Sequence, residues 1–283
     1  MVVLTEHRLR IGDRDVTLLE GPAGWGECSP LAGYPCDPAA ARRAAEEAAT
    51  EGWPTPVRSA VPVNALVTGH GFDPEALADF AVVKVKMATP DDMRLVEEVR
   101  DAVGNTVRLR VDANGAWDLE TAVTVIERLA RLGIELVEQP VATLEELAAL
   151  RRRVAVPLGA DECIRSIDDA RRLCELGAAD AVILKVQPLG GVRAALAVAE
   201  AAEVPAIPTS MMETSVGLAA GLALAAALPD LPYACGLATA GMLAGDVTRE
   251  PLVPDHGVLQ VRAITPDPEL LARYAVSSQE ASS

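Results

Sequence analysis

"AVVKVKMATPDDMRLVEEVRDAVGNTVRLRVDAN" (residues 81–114) spans one complete strand–helix–strand unit. "AVVKVKM" (81–87) and "VRLRVDAN" (107–114) are short β-branched runs of strand character. Between them "DDMRLVEEVRDAV" (91–103) has helical spacing, opens on Asp and is followed by Gly104. From residue 58 onward the same alternation recurs about every 25 residues. It predicts eight strands: 60–67, 81–87, 107–114, 135–140, 156–162, 181–186, 204–210 and 233–239. Eight such units predict a closed parallel (β/α)8-type, TIM-like barrel. An open doubly wound sheet shares the local pattern, but no GxGxxG follows the first strand.

The flanks differ. Residues 1–57 hold strand-like "VVLTEHRLRI" and "DVTLLEG", a Gly/Pro-rich stretch and an Ala-rich helix from about 38 to 51; residues 250–283 alternate again before a frayed end. The expected organisation is an N-terminal part of a capping domain (1–57), a barrel (58–249) and a C-terminal segment returning toward the cap (250–283), the flanks together making a small α+β cap.

Half of the 283 residues are apolar, ample for a core, and the net charge is −16. Such an acidic chain without a basic patch excludes nucleic acid and anionic membrane surfaces as expected partners. Five scattered cysteines without a CxxC pair suggest neither a disulfide framework nor a zinc site, and fit a reducing cytoplasm. The longest apolar stretch, Val216 to Leu228, stops short of the roughly 20 residues a membrane helix needs. The sequence does not fix the oligomeric state; a monomer is compatible with it.

Lysine is used sparingly: of 25 basic residues only Lys84, Lys86 and Lys185 are lysine. All three lie on apolar strands. Lys84 and Lys86 share one face of the second strand, and Lys185, four strands further round, falls on the opposite wall of a barrel. Asp112, Glu138 and Asp161 sit at the ends of three consecutive strands, 26 and 23 residues apart. A single acid there often only caps the next helix or pairs with an arginine. Three in register, flanked by lysines, form a hard-oxygen site suited to Mg²⁺, with Mn²⁺ able to substitute. Lysines on either side of a divalent metal suit abstraction of a proton beside a carboxylate, which arginine cannot perform because it stays protonated. The expected partner is a small anionic carboxylate substrate.

"KVK" (84–86), "VDANGAW" (111–117), "VEQP" (137–140), "GADE" (159–162) and "LK" (184–185) together resemble the muconate-lactonizing branch of the enolase superfamily in order and spacing, over nearly the whole barrel. The resemblance implies Asp112, Glu138 and Asp161 as Mg²⁺ ligands, Lys86 and Lys185 as the acid/base pair, Lys84 as the neighbour tuning Lys86, and Asn114 beside the same site. "GWGECSPLAGY" (24–34) and "PTSMMETSVGL" (208–218) look most like the o-succinylbenzoate synthase group of that branch, lyases of menaquinone biosynthesis that dehydrate a succinyl-hydroxycyclohexadiene carboxylate. Thr209, Ser210, Met211, Gly236 and Leu237 would then meet the succinyl tail. The Gly21–Pro30 loop would close over the substrate with Trp25 as an apolar wall. The cap is shorter than relatives of this kind carry, and His7, His70 and His256 match no family role. Racemisation of N-acylamino acids or epimerisation of dipeptides uses the same lysines; muconate cycloisomerisation is a third possibility, and a non-catalytic binding barrel would not need the full polar set.

Overall fold

A computed structural model describes residues 2–276; most of the frayed end expected from the sequence lies outside the described residues. The chain opens with an antiparallel meander of β1 (Thr5–Ile11), β2 (Arg14–Gly21) and β3 (Gly24–Cys28). Helix α1 (Pro38–Thr50) follows, started by the Asp37 side chain, which accepts from the Ala39 amide at 3.1 Å, and by Pro38 in the first turn. Its alanine face (Ala41, Ala45, Ala48, Ala49) is buried. Helix and sheet approach so closely that a Cβ on Gly26 would lie 2.0 Å from the Ala45 carbonyl oxygen.

After β4 (Ala60–Pro62), strands and helices alternate: β5 (Ala65–Val67), α2 (Pro74–Leu77), β6 (Val82–Lys86), α3 (Met93–Val103), β7 (Arg108–Asp112), α4 (Leu119–Ala130), β8 (Ile134–Glu138) and α5 (Leu144–Arg151). The series continues with β9 (Leu158–Ala160), α6 (Ile167–Leu176), β10 (Ala181–Leu184), the short α7 (Val186–Leu189), α8 (Val192–Ala202), β11 (Ala206–Pro208) and α9 (Ser215–Ala227). Strands β5 to β11 form one parallel sheet in chain order. Its two edges meet at residues 235–236: Cys235 bridges Val63 and Gly236 bridges Thr209, both in parallel sense. The structure is the TIM-like barrel with a cap that the βα repeat predicts.

Two strand predictions need correction. The run 60–67 is not one strand, because β4 turns away to pair antiparallel with β12 (Val258–Gln260) and only β5 enters the barrel sheet. The eighth stave, expected over 233–239, shrinks to the two bridges; Pro208 and Pro232 lack N–H donors and limit a longer ladder.

Period-two alternation sorts the strand residues. Val83, Val85, Leu109, Val111 and Val137 face the helices, in the largest apolar cluster. Leu136, Ala181, Ile183 and Ile207 face inward and plug the barrel beneath the site. Helix α9, "SVGLAAGLALAAA", carries no charge and is buried nearly all round, packed against both β3 and β11. Beyond β12, α10 (Pro268–Tyr274) packs on β1, where Ala275 bridges Leu9. Among the described residues, no helix is long and apolar enough to cross a membrane.

Candidate active site

Strand register assembles the polar residues. Lys86 of β6 lies beside Asp112 of β7, which lies beside Glu138 of β8, so three adjacent strands end in one row of ionisable groups. Glu138 is level with Gly159 on β9, and Asp161 follows two residues later on the same inward face. Gly159 leaves room below: a Cβ there would stand 2.6 Å from Ile183 Cδ1. Lys185 follows β10 directly. Carboxylate oxygens of Asp112, Glu138 and Asp161 come within 4.8 Å of one another, all three residues being buried.

The lysines divide this acidic cluster between them. Lys84 Nζ, buried, donates to Asp112 Oδ2 at 3.1 Å and to Glu138 Oε2 at 2.9 Å. Lys86 Nζ, at the mouth, donates to Asp112 Oδ2 at 2.7 Å and to Asn114 Oδ1 at 2.9 Å. Lys185 Nζ donates to both oxygens of Asp161, beneath the Tyr34 ring at 4.4 Å. Burial alone would pull the Lys84 pKa down, but the carboxylates of Glu138 and Asp112 outweigh it and hold the ammonium well above the usual range. Asp112 shows the converse: burial opposes its charge, yet Lys84 and Lys86 keep it strongly acidic.

Glu138 Oε1 is buried without a hydrogen-bond partner, in a group whose burial raises its pKa. An unpaired carboxylate oxygen in a cluster of hard oxygen donors is what a divalent cation would satisfy, and these residues fit one.

Above the cluster lies a cavity of about 500 Å³ whose lining includes the three lysines, Asp112, Asn114, Thr209, Ser210, Met211 and Gly236. Two expected substrate contacts are elsewhere. Leu237 is buried in the apolar cluster against α9, because alternation turns Gly236 and Ala238 toward the cavity and residue 237 away. Trp25 lies in β3, paired opposite Glu20, its ring 5.1 Å from that of His7 and outside the cavity. The Gly21–Pro30 stretch is a hairpin turn and strand, its Gly26 serving contact with α1; the cap segment that reaches the cavity is Leu31–Tyr34. His7, His70 and His256 lie outside the cavity, beside Glu20, Glu98 and Asp79.

Residues 65–267 match the enolase C-terminal domain-like family and residues 5–49 the enolase N-terminal domain-like family. The chain belongs to the enolase superfamily. Within it, the chain is 52% identical to the o-succinylbenzoate synthase of Thermobifida fusca (strain YX), over 93% of this chain and 86% of that one. It is 44% identical to the o-succinylbenzoate synthase of Mycolicibacterium smegmatis, over 93% and 84%. Among solved structures, muconate cycloisomerase from Pseudomonas fluorescens superposes with a TM-score of 0.83 at 23% identity, covering 98% of both chains, a likeness of fold.

This enolase-superfamily site also uses residues the sequence reading passed over. Tyr34, brought in by the cap, donates from its hydroxyl to Asp161 Oδ1 at 2.8 Å; burial and the Asp161 charge raise its pKa far above the usual phenol value. Gln139, at a left-handed φ of 36°, accepts from the Asp161 amide at 2.7 Å and donates to the Val141 carbonyl at 2.7 Å, fixing the start of the loop that carries Asp161. Asn114, which the sequence already placed beside the site, is also left-handed at φ 49° and donates to Glu162 Oε1 at 2.8 Å. Gln139 had a visible signal, a buried-strand polar residue directly after Glu138; Tyr34 had none beyond its loop.

Proposed function

We infer that the chain is an o-succinylbenzoate synthase, dehydrating 2-succinyl-6-hydroxy-2,4-cyclohexadiene-1-carboxylate to 2-succinylbenzoate. The observation that carries this reading is the 52% identity to the Thermobifida fusca enzyme over 93% of the chain. The site chemistry supports it. Asp112, Glu138 and Asp161 would hold a divalent cation, Mg²⁺ in this reading with Mn²⁺ able to replace it. When bound, that cation supplies positive charge to a carboxylate gaining electron density.

Lys86, at the cavity mouth, takes the proton from the carbon bearing the ring carboxylate. The C–H electron pair moves first into the carboxylate, giving the enediolate; it then returns to form the ring double bond as the C–O bond to the hydroxyl breaks, and the proton on Lys86 passes to the departing hydroxide, which leaves as water. Lys185, on the opposite side, stays a cation facing the developing enediolate. Lys84, held between Asp112 and Glu138, keeps its proton and fixes both carboxylates in place. Asn114, Thr209, Ser210, Met211 and Gly236 line the volume beside them, where the succinyl tail would lie. A place in menaquinone biosynthesis and in the cytoplasm goes with this activity.

The test is a spectrophotometric assay of the cyclohexadiene dehydration run beside racemisation of an N-succinylamino acid. Dehydration should be the faster reaction; racemisation far above it would overturn the reading in favour of a racemase.

A further inference from the structure

Two buried acids, Glu27 of β3 and Glu213 before α9, lie outside the proposed chemistry and outside the cavity, yet both are fully enclosed. Glu27 receives four donors: Ser29 Oγ at 2.6 Å, the Thr214 amide at 3.2 Å, Thr214 Oγ1 at 2.5 Å and the Gly217 amide at 2.9 Å. It therefore clamps the cap strand onto the first turn of α9. Glu213 Oε2 accepts from the Met211 amide at 2.6 Å, and its other oxygen accepts from Gln187 Nε2 at 3.3 Å. Gln187, on α7, completes the chain by accepting from the Ser29 amide at 2.8 Å.

Each end of this chain adjoins one wall of the cavity. Met211 and Met212 line it on the barrel side, and Met212 is held at φ 64°, a left-handed conformation that costs free energy in a non-glycine residue and persists only where neighbours enforce it. On the cap side Ser29 is followed, after Pro30, by Leu31–Tyr34, which covers Lys185. We propose that Glu27, Gln187 and Glu213 are positioning residues: their buried hydrogen-bond chain sets the Met211–Met212 wall and the Leu31–Tyr34 flap in mutual register. The walls exist whatever the ligand; that they shape a site for a succinyl-bearing substrate rests on the reading above.

The test uses two near-isosteric variants, Glu213→Gln and Gln187→Met. Glu213→Gln can still accept from Met211 but presents an NH₂ to the Gln187 NH₂, so it breaks the link to the cap alone; Gln187→Met removes the bridge from its other side. In each, hydrogen–deuterium exchange should rise together in peptides covering 29–36 and 209–214, and stay unchanged in the α3–α4 region. KM for the cyclohexadiene substrate should rise about tenfold, the scale of one lost hydrogen bond to a charged group, with kcat changed by less than about threefold. Faster exchange in only one of the two segments, unchanged KM in both variants, or failure of both to fold would overturn the positioning role. If the wild-type protein shows no dehydration, the exchange arm still decides the mechanical claim, so the two failures are distinguishable.

Discussion

Lys84 and Lys86 are separated by one valine, yet their surroundings differ. Lys84 is enclosed by two carboxylates, whereas Lys86 shares only Asp112 and opens to the cavity. Lys86→Arg keeps the positive charge and removes the exchangeable amine, so turnover should fall by about 10³-fold or more while the thermal midpoint stays near wild type. An active arginine variant would rule out Lys86 as the base. Glu27 makes a separate prediction. Burial, offset only in part by its donors, raises its pKa to about 7 from 4.5. The folded protein thus keeps a proton that the unfolded chain has released between those values. This contribution to stability is full below pH 4.5, declines as pH rises to 7, and is level above it. Relative to Glu27→Gln, the wild type should lose on the order of 3 kcal/mol across that window, read from urea unfolding. A constant difference would contradict it.

At the scale of elements, contacts set by small residues decide where strands and helices can lie. Gly26→Ala would press a methyl onto the Ala45 carbonyl, forcing β3 and α1 apart at a cost of about 1–3 kcal/mol by denaturant unfolding. An unchanged midpoint would show that the cap is looser than its packing indicates. The central strands were legible in the sequence because each is a β-branched run with its polar residues on one face. Runs 60–67 and 233–239 were not, since their ends are decided by partners far along the chain: β12 takes Ala60–Pro62, and Val63 and Thr209 bracket residues 235–236. Leu237 was misread for a related reason. Without the register, nothing tells which of two adjacent residues faces the cavity.

For the molecule as a whole, the site is split between barrel and cap, and the two parts were unequally legible. Asp112, Glu138, Asp161 and the lysines stand out because charge on an apolar strand requires compensation, and all but Lys84, in the middle of β6, fall at a strand end. Tyr34 and the Glu27–Gln187–Glu213 chain belong to loops and to the seam between units, where the sequence carries no period to place them. The proposed function makes the three buried carboxylates, with Lys86 and Lys185 on either side, one metal-dependent dehydration site. Its most direct test is turnover of the cyclohexadiene substrate after exhaustive chelation and again after adding Mg²⁺. Activity should vanish in the chelated protein and return with Mg²⁺ or Mn²⁺; undiminished turnover without metal would contradict the account.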